Sequence, residues 1–111
     1  MSNGEEERVR AILERMLSED FPGVAEYRSQ LKVARLTPHE TGCGITVDPA
    51  SAPAAPFDPA FPSDVLPVQA FGHGKLWLML HGHAGYLDDL ELVIGRRFPE
   101  PETIKVRVDK A

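Results

Sequence analysis

The chain has 111 residues, 42% hydrophobic and 26% charged, a composition that fits one globular domain with a real core and does not fit a disordered chain. Twelve Lys and Arg against 17 Asp and Glu give a formal net charge of −5. The basic residues are scattered, so the basic stripe that phosphate binding requires is missing, which argues against nucleic acid as a partner. No apolar run approaches the roughly 20 residues that span a bilayer. The start, Met1-Ser2-Asn3-Gly4-Glu5-Glu6-Glu7, is acidic where a signal peptide is basic. These features predict a cytoplasmic protein without membrane association, whose acidic surface suits a basic protein partner. Cys43 stands alone, so an internal disulfide and a four-thiolate zinc site within the chain are both excluded.

The first element is a helix over residues 5–18. Val9, Ile12, Leu13, Met16 and Leu17 recur at helical spacing and form one apolar stripe, while Glu5, Glu6 and Glu7 favour the positive end of the helix dipole. Asp20-Phe21-Pro22-Gly23 ends it. A second helix is predicted over 22–31, with Asp20 as its cap, Pro22 at an opening position, and Val24, Tyr27 and Leu31 along one face. Lys32–Thr37 reads as extended, Pro38–Gly42 as a turn, and Gly44–Asp48 as a strand with Ile45 and Val47 on one side.

From Pro49 to Pro62 five prolines interrupt all periodicity, which predicts a stiff surface loop, pinned by Phe57 and Phe61, within a single domain spanning residues 1–111. Strand signals resume at Asp64–Phe71, where Pro67 suggests an edge position. Lys75–Leu80 is apolar on both sides and is placed centrally, paired as a hairpin with 86–94. Between them lies His81-Gly82-His83-Ala84-Gly85, read as the turn. Ile104, Val106 and Val108 mark a last amphipathic strand. Helices followed by strands with short turns predict an α+β fold: two N-terminal helices on one face of a four- to five-stranded antiparallel sheet. Leu78 and Leu92 are both expected in its core.

Candidate chemistry centres on few residues. His81 and His83 are two apart, so on extended chain both imidazoles point the same way, and with Cys43 they could form a metal-binding or thiol-dependent site. No metal spacing or catalytic signature is matched, however, and lone cysteines in cytoplasmic domains are usually inert small hydrophobes. Asp88, Asp89 and Glu91 fit a solvated strand face better than a carboxylate pair in a cleft. The sequence therefore predicts a non-enzymatic binding module without catalytic residues, cofactor or metal. The docking residues would be His81, His83, Tyr86, Asp88 and Asp89, at the hairpin end beside the 49–62 loop, because loops carried on rigid strands most often host binding.

The segments Asp20-Phe21-Pro22-Gly23, Glu26-Tyr27-Arg28-Ser29-Gln30-Leu31, Gly42-Cys43-Gly44-Ile45-Thr46-Val47-Asp48 and Gly85-Tyr86-Leu87-Asp88-Asp89-Leu90-Glu91 together resemble a family of small uncharacterised bacterial proteins common in actinobacteria. The resemblance covers roughly residues 10 to 95. Relatives often carry more cysteines where this chain has Cys43 alone, which weakens a metal or redox role. Gly-Tyr-Leu-x-x-Leu-Glu also resembles the core hairpin of small immunity-type proteins that neutralise bacterial toxins, and so implies a toxin-neutralising or adaptor role.

Overall fold

The computed structural model describes residues 3–59 and 64–109. Two helices, α1 (Asn3–Met16) and α2 (Val24–Val33), precede six strands: β1 (Arg35–His39), β2 (Gly42–Thr46), β3 (Val65–Phe71), β4 (Trp77–His83), β5 (Tyr86–Ile94) and β6 (Lys105–Val108). The strands form one antiparallel sheet in the order β1-β2-β5-β4-β3-β6. The fold is thus α+β with both helices N-terminal, but with six strands rather than four or five. Every described extended segment pairs, the short edges β1 and β6 included.

The α1 stripe is buried as its spacing requires: Val9, Ile12, Leu13, Met16 and Leu17 are all fully enclosed. They pack on one face of the sheet, where register aligns Leu36 with Ile45, Cys43 with Leu90, Leu90 with Leu80, and Leu92 with Leu78. Leu78 is buried, whereas Leu92 lies toward the margin and stays half-buried. Both helices touch this face, α1 at β3 and α2 at β5. Among the described residues the opposite face carries no helix, an arrangement that antiparallel sheets tolerate because alternate side chains can be polar.

The two helices are tied to each other at their C-terminal ends. Arg28 Nε donates to Leu17 O at 2.5 Å, just past α1, and Arg10 donates to Leu31 O at 2.8 Å and Ala34 O at 3.1 Å, at the end of α2. Each guanidinium thereby satisfies carbonyls that a helix end leaves open and opposes the negative end of the dipole.

Four local expectations are corrected. The second helix begins at Val24, not at residue 22, and Asp20 does not cap it: Gly23 is the N-cap at φ 86°, with no side-chain cap bond. A Cβ on Gly23 would meet the Ala55 methyl at 3.0 Å, so glycine fits both the backbone and the space. Pro67 does not mark an edge, since β3 lies between β4 and β6. It sits where the β3–β4 register shifts, a bulge that accommodates proline inside a sheet. His81 and His83 belong to β4, and the hairpin closes in two residues, Ala84 (φ 52°) and Gly85 (φ 86°). Finally, Phe57 does not pin the 49–62 loop, being 76% exposed, while Phe61 lies outside the described residues.

What pins the loop is smaller and polar. Ala52 and Ala55 are buried, and Ala55 N–H donates to Gly85 O at 2.8 Å. Gln30 is 0% exposed and holds three elements to α2. Its Nε2 donates to Pro53 O at 2.9 Å and to Gly85 O at 2.8 Å, and its Oε1 accepts from Leu87 N–H at 2.8 Å. Methyl-sized side chains let the loop backbone approach the turn closely enough for these bonds.

Candidate functional site

Two regions collect the chain's polar and aromatic groups. The first is a cavity of about 430 Å³ at the β4–β5 hairpin end, walled by Gly82 and His83 of β4, Asp64 entering β3, Tyr27 of α2, and Phe57 and Asp58 of the proline loop. Gly82 N–H donates to Asp64 O at 2.7 Å, fixing the lead-in to β3 against β4. His83 Nδ1 stands 3.3 Å from Asp64 Oδ2 on the rim, with both side chains largely in water. Among the described residues, no Lys or Arg lines the cavity. Burial, then the charges of Glu26 and Asp64, push the Tyr27 phenol above its ordinary pKa. Glu26 also has one carboxylate oxygen that is buried without a hydrogen-bond partner among the described residues.

The second region is the open sheet face. Thr41 N–H donates to His39 Nδ1 at 3.2 Å, so His39 carries its proton on Nε2, which donates to Asp89 Oδ1 at 2.5 Å. This bond crosses β2 where Gly42 and Gly44 raise no side chain. At Gly42 none could be raised, since a Cβ would lie 2.2 Å from Leu90 O. His81 Nε2 pairs with Glu91 Oε1 at 2.7 Å. Farther along, Trp77 stacks on Phe71 (centroids 6.4 Å, 7° between planes) and donates to Gln69 Oε1 at 2.8 Å, while Arg107 lies 5.0 Å from the Phe71 centroid. The face is closely knit and half-buried, a solvated sheet surface more than an exposed apolar patch.

The predicted docking residues therefore do not form one cluster. His83 lines the hairpin-end cavity. His81 and Asp89 are cross-strand partners on the open face. Tyr86 is half-buried against the loop, its hydroxyl 3.3 Å from Ala52 O. Asp88 is exposed as the extra residue of a bulge, because His81 pairs with Asp89 and the next residue, Gly82, pairs with Leu87. Cys43 is 0% exposed on the helix-covered face, the opposite side of the sheet from His81, so the structure does not bring the thiol and the imidazoles together. Desolvation leads the causes that raise its pKa to about 11, leaving a thiol that is neutral at physiological pH. Among the described residues, no group of three or more His, Cys, Asp or Glu is placed to hold a metal ion, and no helix is long and apolar enough to cross a membrane.

Sequence reasoning missed Tyr27, Phe57, Asp58 and Asp64 as neighbours. The available signal was Phe57-Asp58 itself, a large aromatic and a charge in a stretch with no burial period. Compared with protein-family models, curated proteins and solved structures, the chain matches none.

Proposed function

We propose that this protein is a non-enzymatic binding module that engages a basic protein partner at the hairpin end. One observation carries the reading: Phe57, the most exposed large apolar side chain among the described residues, stands at the mouth of a cavity that also presents Asp58 and Asp64. An aromatic anchor beside a concavity is the usual centre of an interface, and a carboxylate rim selects basic partners and speeds their encounter. The loop is already held by Gln30 and Gly85, so little ordering entropy is lost on binding. The likeness of the 85–91 segment to toxin-neutralising proteins extends the proposal to a toxin as one form the partner takes.

The test is a photo-crosslinking residue at position 57 in the native host, with position 32 on α2 as control. A discrete adduct from 57, absent from 32 and lost with Asp64→Lys, supports the module. Absence of any discrete adduct at 57 sinks it.

A further inference from the structure

We infer that the hairpin-end cavity receives an arginine side chain of the partner, its guanidinium set against the Asp64 carboxylate and the rings of Tyr27 and Phe57. This rests on the binding-module reading and names the group the site recognises.

The argument begins with charge. Among the described residues the wall presents two aspartates and no Lys or Arg, and Glu26, outside the wall, acts on Tyr27 through its charge. A cation entering here meets the Asp64 carboxylate on the rim. His83 is the imidazole nearest Asp64, but its 3.3 Å contact joins two largely exposed side chains and is readily exchanged for a stronger pair. The raised Tyr27 phenol, partly due to Glu26 and Asp64, reports the same negative surroundings.

The aromatic component separates guanidinium from ammonium. A planar, weakly hydrated guanidinium pairs with a carboxylate through two N–H groups while laying its face on a ring, whereas an ammonium is a compact and strongly hydrated point charge. The Phe57 ring is solvent-facing in the free protein, and Tyr27 forms the inner wall. A cavity of about 430 Å³ holds a side chain with room for its backbone at the mouth, and lies within the range of small recognition sites.

The experiment titrates the intact protein with the peptide Ac-Gly-Arg-Gly-Arg-Gly-NH2 while following backbone amide resonances. The same peptide is used with citrulline, which keeps the shape without the charge, and with lysine. The arginine peptide is expected to move Gly82, His83 and Gly85 saturably. Citrulline should bind about tenfold more weakly or worse, the loss typical of a charged hydrogen-bond partner. Asp64→Asn should bring arginine down toward citrulline, and Phe57→Ala, which alters a side chain outside the core, should weaken arginine with the fold intact. Equal binding by citrulline, a match between lysine and arginine, shifts located elsewhere, or no saturable shift each overturns the assignment. A partner crosslinked through position 57 and undisturbed by excess arginine peptide overturns the arginine site alone, while failure to crosslink any partner removes the module reading as well.

Discussion

Replacing Gln30 by leucine keeps the side chain's approximate volume and removes all three of its hydrogen bonds. Leu87 N–H loses its acceptor, because in the pair next to the hairpin's closing pair the Leu87 amide faces away from β4 and bonds Gln30 instead. Pro53 O loses its donor, while Gly85 O keeps Ala55 N–H. Two stranded groups at about 1–3 kcal/mol each, offset by about 1 kcal/mol from the more apolar side chain, give a net loss of about 1–5 kcal/mol for Gln30→Leu. Urea unfolding at constant slope reads the value, and hydrogen exchange at Leu87 should accelerate beyond what global stability explains. Gln30→Glu sharpens the test. It keeps an acceptor for Leu87 but sets carboxylate oxygens against two carbonyls, which with burial raises its folded pKa. Such an acid leaves stability intact below its unfolded value of about 4.3 and removes it as pH rises through the raised folded value. The Glu variant should therefore be least impaired in acid, relative to wild type, and weakest at pH 7. A loss below about 1 kcal/mol for leucine, with ordinary exchange at Leu87, would refute the claim that this amide binds loop, turn and helix together.

Arg28→Ala and Arg10→Ala should each cost about 1–2 kcal/mol in thermal or urea unfolding, with lysine restoring little, because each guanidinium reaches two carbonyls at the C-terminal end of a helix. Leu78→Ala should cost about 2–4 kcal/mol and Leu92→Ala roughly half that, since Leu78 is enclosed and Leu92 only half-buried; equal losses would contradict the described packing. Stability should fall in alkali from about pH 9 upward. The Cys43 pKa is raised to about 11 from 9.0 and the Tyr27 phenol is raised from 10.0, so both favour the folded state below their unfolded values and withdraw that support as the pH climbs. A pH–stability profile flat to pH 11 would contradict it, as would rapid labelling of Cys43 in the native protein by a thiol reagent.

Periodicity exposed much of this molecule. The α1 stripe and the β4–β5 hairpin follow directly from the spacing of apolar residues, and parity alone puts Cys43 on the side of Ile45 and Val47. Parity also sets His81 opposite Leu78 and Leu80, so the separation of thiol from imidazole was partly legible. Strand order was not, because nothing in a period says that β6 returns to lie beside β3. Gln30 follows Tyr27 by three residues and so shares the apolar stripe of α2, which marks it as a buried polar group. Its partners, lying 23 to 57 residues away, leave no trace in local pattern. Pro67 misled because proline is excluded from regular ladders, and a bulge is an irregular one. The hairpin-end cavity escaped because its wall is gathered from a helix, a loop and two strands, with lining residues from Pro22 to Gly85.

The strand order also bears on how the chain comes off the ribosome. The sheet's innermost strands, β5 and β4, are both made after residue 76, and β2 finds its inner neighbour only when Cys43 meets Leu90. Until then α1, α2 and the β1–β2 ribbon present the apolar residues Ile12, Leu13, Leu31 and Ile45 with no sheet to cover them. The N-terminal half cannot cover these residues with the inner sheet until β5 emerges. Folding during synthesis is thus late and nearly all at once, and a nascent chain stalled before residue 86 should be captured by chaperones far more than one released whole.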